Sequence, residues 1–391
     1  MIGRSGDRMI GRSGEQKPTW PSSFRQLLTA GCLVPGIRCP LLAGYCLLFL
    51  LLLPGVAAAG SKAKPAGTVT LPELELTGGR KLLYEGSVNS EREVRTQRHF
   101  WGRLLDVVAG EPEFHTLIAP YSVVTDSHNR IIVTDPGASG IHIFDFEQHK
   151  YKFMARDKDV DGLSSPQCVA VDADDNIYVT DSYSGKIFMF DANGKFRRVI
   201  GSIKGEGYFK RATGIAVDSP AQRIYVTDTL RNQVWVLDMQ GTVLQKIGAP
   251  GSSEGQFNFP TELRLDGPDL IVVDAMNFRV QVLDHSGKFE YAVGQVGDSS
   301  GNMFRPKGIG RDSEGHLYVV EGLSGLVQVF DRQGQLLYYF GEDGKHAGQF
   351  DLPEGLYIDR SDHVFVVDSS NRRVQVFQYS ALKPFPGEAK Q

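Results

Sequence analysis

The chain has few cysteines for its length, only four in 391 residues. Cys32, Cys39 and Cys46 precede residue 60, so Cys168 is the only thiol in the rest of the sequence. A single thiol cannot form an internal disulfide, so disulfide bonds do not stabilise the fold of residues 60–391. We therefore expect packing alone to hold the fold, and we interpret Cys168 as a small buried side chain rather than a nucleophile.

An excess of positive charge is also missing, with 42 Lys and Arg against 46 Asp and Glu. The formal net charge of the chain is −4, and residues 1–59 hold more basic than acidic groups, so residues 60–391 carry about −8. Binding to a phosphate backbone needs a basic surface. A nucleic-acid partner is therefore unlikely on charge alone.

Long apolar runs are missing as well. The main apolar run, residues 41–53, follows Arg38 and precedes three alanines that end at Ala59. This order predicts a secretory signal within a leader of residues 1–59, cleaved after Ala59, and hence a periplasmic or secreted protein. The alternative is an uncleaved leader that anchors the protein in a membrane, although the run is shorter than the ~20 residues that span a bilayer.

A phrase of three short apolar stretches recurs six times between residues 117 and 379. The second stretch of each copy ends in an acid, and these acids follow one another at intervals of about 46–47 residues: Asp135, Asp181, Asp228, Asp274, Glu321 and Asp368. The apolar residues alternate or are β-branched, and turn residues bound each stretch, so the stretches are predicted strands. Most copies also have a fourth strand.

Six four-stranded units of this length predict an all-β fold, a six-bladed β-propeller, because small stacked sheets bury both faces only when the stack closes into a ring. The sixth copy lacks a fourth strand. We predict that residues 80–88 supply it and close the ring, and that residues 100–108 form one short amphipathic helix before the first blade. Residues 60–79 are then a flexible N-terminal segment, residues 80–116 the closing strand and helix, and residues 380–391 a C-terminal tail.

The repeat resembles the NHL repeat in three places: residues 306–320, residues 368–377 and the linking phrase 340–350. The resemblance extends over residues 117–379. It implies that each first strand lines a central channel, and that the loops entering it share one face with the loops between second and third strands. It leaves function open, because propellers of this family serve as protein-binding, RNA-binding and occasionally catalytic scaffolds.

In this arrangement one residue of each entry loop lies at the channel mouth. These six positions differ in chemistry, which fits an asymmetric ligand, and they are Tyr121, Gln167, Thr213, Thr261, Lys307 and Glu354. The second loop on the same face contributes apolar side chains that predict a recognition patch: Tyr183, Leu230, Met276, Phe278 and Leu323. The alternative for the patch is that each apolar side chain packs against the neighbouring blade.

The six repeated acids occur in every blade, which favours a structural role as hydrogen-bond acceptors for loop backbone over metal binding or catalysis. A separate acidic turn, Asp157, Asp159 and Asp161 followed by Gly162, resembles the start of a calcium loop. The expected glutamate is missing, because Cys168 stands at the twelfth position. We expect a solvated turn, with weak calcium binding as the alternative.

We find no set of histidine, serine or cysteine that the repeat would bring together at the channel mouth. No cofactor is therefore expected, and the preferred function is an exported scaffold that binds a protein, peptide or glycan. The alternative is a metal-dependent lyase or lactonase at the channel mouth, where Glu262, Glu354 and Asn277 could supply oxygen ligands.

Overall fold

Six antiparallel sheets, each of at least four strands, make up nearly all the regular structure of the computed structural model. The structure describes residues 73–76, 80–95, 114–155, 160, 162–297 and 299–380. The predicted leader, the helix at 100–108, the acidic turn at Asp157, Asp159 and Asp161, and the tail beyond residue 380 lie outside these residues. They stay predictions.

The strands follow the repeat closely, and in blades 1 to 5 they run in chain order from the channel outward. Blade 1 comprises Ser122–Thr125, Ile131–Asp135, Gly140–Asp145 and Lys150–Ala155. Blade 2 comprises Pro166–Val171, Ile177–Asp181, Lys186–Phe190 and Phe196–Ile200. Blade 3 comprises Ala212–Asp218, Arg223–Asp228, Gln233–Asp238 and Val243–Ile247.

The other three blades repeat the pattern. Blade 4 comprises Pro260–Asp266, Asp269–Asp274, Arg279–Asp284 and Phe289–Val293. Blade 5 comprises Pro306–Arg311, Leu317–Glu321, Leu326–Phe330 and Leu336–Phe340, and blade 6 contributes Pro353–Ile358, His363–Asp368 and Arg373–Ser380. A small hairpin, Ser202–Ile203 with Glu206–Gly207, lies between blades 2 and 3. The described part of the chain also has short 3-10 turns at Glu91–Glu93, Thr229–Arg231 and Ala275–Asn277.

The N-terminal strand closes the ring as predicted. Lys81–Val88 pairs antiparallel with Arg373–Ser380, from Lys81 opposite Ser380 to Val88 opposite Val374. A fifth strand that the sequence did not predict, Glu73–Glu75, pairs with the outer side of Lys81–Val88. Chain segments more than two hundred residues apart in sequence therefore complete one sheet.

Each first strand contacts the first strands of the two neighbouring blades, and the contacts run around the whole ring from blade 1 through blade 6. The core consists of apolar layers between adjacent blades. One such layer joins Tyr318 and Phe340 of blade 5 to Phe377 of blade 6. This confirms the six-bladed propeller, with the first strands around the central channel.

Every repeated acid is buried and accepts hydrogen bonds from backbone N–H groups of the loop that enters the first strand of its own blade. Asp181 accepts from Ser164 and Ser165 at 2.7 and 2.6 Å, and from Ser184 in the following loop at 2.7 Å. This confirms the structural role, although the main partner is the preceding entry loop rather than the following loop. The acid thus ties together the two loops that form one face of the propeller.

Cys168 is buried at the head of the first strand of blade 2. Burial raises the pKa of its thiol well above the usual value, and the nearby Glu262 carboxyl adds to the rise. A thiol kept protonated is a poor nucleophile. Within the described residues, no helix combines the length and apolar character that crossing a bilayer takes.

Candidate functional site

One face of the ring, the entry face, carries both loop sets that the repeat predicts to be neighbours. In each of blades 2 to 6, the first or second N–H after the second strand donates to a carbonyl of the entry loop, as Ser182 does to Ser165 and Met276 does to Asn258. These bonds and the buried acids hold the two loops side by side. Side chains on either loop therefore present a common surface around the channel mouth.

Two of the six predicted mouth residues are buried, and the other four, Tyr121, Thr261, Lys307 and Glu354, are half-buried. Gln167 and Thr213 are buried, and Thr213 Oγ1 lies 2.8 and 2.7 Å from the hydroxyls of Thr227 and Thr229, so its side chain serves loop packing. Lys307 Nζ lies 2.7 Å from Glu354 Oε2, joining blades 5 and 6 across the mouth. Tyr121 is half-buried, and burial raises the pKa of its hydroxyl well above the usual value.

In each first strand, the residue that follows the mouth residue decides how closely the first strands of neighbouring blades approach each other. It is glycine in blades 3, 5 and 6, and a Cβ on Gly308 would lie 2.3 Å from the backbone nitrogen of Leu356 in the next blade. Blade 4 has Glu262 here instead. This buried carboxylate is the largest departure from the repeat inside the channel.

Glu262 is only 5% exposed, and its Oε1 lies 2.7 Å from Arg264 Nη2. Burial raises the pKa of Glu262 to about 7 despite Arg264, and the Glu354 carboxylate adds to the rise. Glu262 is therefore poised to exchange a proton near neutral pH, which is unusual for a glutamate.

Arg264 closes the channel beneath Glu262. From blade 4, its Nη2 donates to the Leu356 carbonyl of blade 6 at 3.0 Å, and its guanidinium lies 5.5 Å from the ring centre of Tyr357. The channel is therefore crossed at this level, and a ligand entering from the entry face would meet Glu262 and the mouth residues.

Several buried oxygens at the mouth lack a directed hydrogen bond to any residue that the structure describes. They are Ser122 Oγ, Thr261 Oγ1, Glu262 Oε1 and Glu354 Oε2. The two carboxylate oxygens are close to Arg264 and Lys307 in distance, but the contacts are poorly aligned for hydrogen bonding. Native buried polar groups usually have partners, so this cluster marks a place for water or for polar ligand groups.

The structure brings Glu262 and Glu354 together at the mouth but leaves Asn277 out. The Asn277 amide donates to Gly251 O and to Asp274 Oδ2, both at 2.8 Å, and so faces the linker between blades. Each of the two glutamates already faces a cation. These residues do not fit a calcium ion, which needs six to eight uncompensated oxygen ligands.

The predicted patch residues are mostly exposed. Tyr183 is 83% exposed, and Leu230, Met276 and Leu323 are also exposed, whereas Phe278 is half-buried beside the ring of Phe304. The alternative, packing against the next blade, therefore fits Phe278 best. Sequence reasoning missed four exposed apolar residues of the entry loops, which lie one or two positions before the proline that opens the first strand: Ile118, Phe259, Phe304 and Leu352.

The same loops carry unpaired positive charge. Lys210, Arg211, Arg305 and Arg372 are exposed, and their side chains form no ion pair with any of the residues described. A region with four free cations is notable in a chain whose net charge is −4. The entry face therefore combines apolar side chains with a local positive field.

Three of the histidines that contact a carboxylate lie on the opposite face. His128, His316 and His363 sit in hairpins between first and second strands, and each ring contacts an aspartate, for His128 Asp175 at 3.0 Å. Asp126, His128 and Asp175 are close enough to share an ion. However, Asp126 already accepts from Arg130 and from backbone N–H groups, so the cluster is explained by its own hydrogen bonds.

Two segments of the chain, residues 163–190 and 350–377, match the family model of the NHL repeat. The chain is an NHL-repeat propeller. Its two matches cover the first three strands of blades 2 and 6, and the other blades repeat the same strand order.

Solved structures share this fold at low identity. A streptogramin B lyase is 15% identical over 67% of this chain and 94% of its own, with a TM-score of 0.51. An auxiliary nutrient binding protein from Bacteroides thetaiotaomicron is 16% identical over 68% of this chain and 70% of its own, with a TM-score of 0.53. A gluconolactonase from Xanthomonas campestris is 16% identical over 79% of this chain and 94% of its own, with a TM-score of 0.53. At these identities the likeness of the NHL-repeat propeller to enzymes and binding proteins concerns the fold alone.

The raised pKa of Glu262 predicts a specific pH dependence of stability. A carboxyl that binds its proton more tightly in the folded state stabilises the fold below its unfolded pKa of 4.5, and this contribution is lost as the pH rises through about 7. Relative to Glu262→Gln, the wild-type free energy of unfolding should therefore fall by up to roughly 3 kcal/mol between pH 4.5 and 7.5.

Denaturant unfolding at a series of pH values measures this difference. Glu290→Gln, a change at a half-exposed glutamate on the outer strand of the same blade, is the matched control and should follow the wild type at every pH. A constant difference between wild type and Glu262→Gln across the range would contradict the assignment.

Proposed function

We propose that this NHL-repeat propeller is a binding scaffold, and that its entry face captures a protein or peptide segment with acidic and apolar side chains. The observation that carries the proposal is the group of exposed apolar residues around the channel mouth, interleaved with unpaired cations: Ile118, Tyr183, Leu230, Phe259, Met276, Phe304, Leu323 and Leu352, with Lys210, Arg211, Arg305 and Arg372.

Single exposed apolar residues are normal on a protein surface, but a grouped patch marks a recognition site. These eight side chains all lie on the loops of one face, and Tyr183 offers a large ring that a partner can bury completely. Desolvated aromatic side chains of this kind contribute most of the affinity at protein interfaces.

The local charge supports an acidic partner. Free arginines and lysines at the rim of an apolar patch attract carboxylates and increase the association rate. Lys307 and Glu354 contribute less to this field because they neutralise each other. A glycan, the other ligand considered from the sequence, is less favoured because most of the exposed side chains are aliphatic rather than flat rings.

A selection from a displayed library of random peptides tests this proposal. Peptides enriched on the wild-type protein should combine acidic with aromatic or aliphatic residues. The double change Tyr183→Ala with Phe304→Ala should weaken their binding by about tenfold or more, because an aromatic anchor that a partner buries contributes ~2 kcal/mol or more.

Tyr339→Ala is the matched control, since Tyr339 is an exposed tyrosine on the outer strand of blade 5, away from the entry face. It should leave peptide affinity unchanged. Melting temperatures of all variants separate a binding defect from unfolding. A large thermal loss in the double variant would show that these rings are packing residues, and equal binding by all variants would refute the patch.

A second function, a lyase or lactonase, is favoured by one observation, the buried Glu262 with its raised pKa. A carboxylic acid that remains partly protonated near neutral pH can donate a proton to a leaving oxygen. The metal-dependent version has less support, because the mouth carboxylates already face cations. Weak calcium binding at Asp157, Asp159 and Asp161 remains a separate proposal.

Elemental analysis and a variant distinguish these versions. We expect no stoichiometric calcium or zinc to survive dialysis of the purified protein, and its presence would revive the metal-dependent enzyme. If the chain is an acid catalyst, lactone or ester hydrolysis should be lost in Glu262→Gln and retained in Glu290→Gln. Absence of any such hydrolysis in the wild type would remove this function.

We also propose that the protein is exported, on the evidence of the basic, apolar and small-residue order of residues 38–59. The scaffold would then work in the periplasm or outside the cell, where a partner can reach the entry face. N-terminal sequencing of the extracytoplasmic protein should start near Gly60. Recovery of an uncleaved leader in the membrane fraction would support the anchored alternative instead.

A further inference from the structure

The linker between blades 2 and 3 differs from the linkers that follow it. In the three later linkers the chain turns back through a parallel bridge, as between Pro250 and Phe257. The blade 2–3 linker instead forms the hairpin Ser202–Ile203 with Glu206–Gly207, whose turn residues Lys204 and Gly205 have φ of 52° and 90°. Two positive φ values in a two-residue turn are typical of a type I′ hairpin.

A change on the third strand of blade 3 accompanies this hairpin. In blades 4, 5 and 6 the third-strand residue seven positions after the repeated acid is glutamine, namely Gln281, Gln328 and Gln375. Each glutamine accepts a hydrogen bond from a linker glycine N–H and donates to the next linker carbonyl, for Gln281 at 3.0 and 2.7 Å. In these blades the glutamine fastens the linker to the blade.

Blade 3 has Trp235 at this position. An indole cannot accept a hydrogen bond, so the linker glycine loses its partner and the linker takes the hairpin path. The hairpin rests on blade 2, because a Cβ on Gly207 would lie 2.2 Å from the Ser184 carbonyl. The exchange of glutamine for tryptophan therefore leaves space between the hairpin and the outer strands of blade 3.

This space is a cavity of about 580 Å³, here called the rim cavity, lined by Ile203, Lys204, Glu206, Gly207, Tyr208, Trp235 and Val243. Its volume is within the range of small-molecule sites, and its walls are mostly apolar with a few polar groups, as such sites require. It lies on the outer edge of the ring, away from the channel mouth.

Trp235 has a polar group without a partner. The residue is only 7% exposed, and its Nε1 has no acceptor among the described residues. An indole nitrogen can only donate, so the partner that it lacks is a hydrogen-bond acceptor. The same nitrogen is closed to water, and the hairpin that borders it lacks the glutamine bonds of the later blades. A ligand acceptor could therefore reach this nitrogen only if the hairpin moved slightly outward.

The charges around the indole select the chemistry of that acceptor. The Lys246 ammonium lies 3.9 Å from a ring centre of Trp235, and the Arg231 guanidinium 5.2 Å. Lys204 and Lys246 form no ion pair within the described part of the chain, whereas Arg231 is held by Asp228. Glu206 on the hairpin opposes these cations in part. The ring face is thus already occupied by cations, which disfavours a cationic ligand and favours an anion.

We propose that the rim cavity binds a small amphiphilic carboxylate, with its apolar body against Ile203, Tyr208 and Val243 and its carboxylate at the indole N–H and Lys246. The hairpin packs on Ser184, next to Tyr183 of the entry face, but the proposal does not rest on the binding function proposed for that face. It would give the propeller a second ligand of low molecular weight.

Octanoate and 3-phenylpropionate are suitable probes, with octan-1-ol as the uncharged control, and the purified full-length protein is titrated with each by calorimetry. At least one of the two carboxylates should bind with a dissociation constant below about 1 mM, and octan-1-ol about tenfold more weakly. In the amide spectrum of ¹⁵N-labelled protein, the indole signal that disappears in Trp235→Phe should shift on titration, because its N–H gains an acceptor.

Two substitutions test the residue itself. Trp235→Phe removes the donor, and Trp235→Gln restores the residue of blades 4 to 6, so at least one should fold normally. Both should weaken carboxylate binding by about tenfold or more. Lys246→Gln should also weaken it, whereas Lys288→Gln on blade 4 and Tyr339→Ala on blade 5 should not.

Undetectable binding of both carboxylates, or affinities unchanged in every folded Trp235 variant, would overturn the proposal. Equal binding of octan-1-ol and octanoate would overturn the carboxylate assignment. Because peptide capture at the entry face is measured separately, failure of either site leaves the other interpretable.

Discussion

The buried carboxylate at the end of each second strand is the interaction on which the geometry of this propeller depends. It accepts backbone N–H groups from the loop entering its own blade, across a separation of 16 to 18 residues. A buried carboxylate without such donors would be costly, and so would buried N–H groups without an acceptor. Acid and loop therefore order each other, and six copies of this bond shape the entry face.

Because the acids hold the loops, neighbouring positions can vary without loss of the fold. The mouth residues and the loop tips differ from blade to blade, and this variation places apolar side chains and free cations around the channel. The six repeated acids do not form a metal site, because their carboxylate oxygens already accept hydrogen bonds from backbone N–H groups.

Two departures from the repeat have the largest structural consequences. Glu262 replaces the glycine of blades 3, 5 and 6, and it puts a carboxylate where strands elsewhere approach closely. Trp235 replaces the glutamine of blades 4, 5 and 6, and the linker before blade 3 forms a hairpin that packs on blade 2 instead. In both places the effect of the replacement can be judged by comparison, because three other blades have the usual glycine or glutamine at the same position.

The sequence by itself determined the number of blades, the strand order, the closing strand and the structural role of the repeated acids, because these follow from periodicity and local turn chemistry. It also indicated the correct face for Tyr183, Leu230, Met276 and Leu323. It could not show that Thr213 is used for packing, that Asn277 faces a linker, or that Lys307 and Glu354 neutralise each other. Only the tertiary structure decided these points, because burial and charge pairing at the mouth depend on side chains from different blades, which are brought together only when the ring closes.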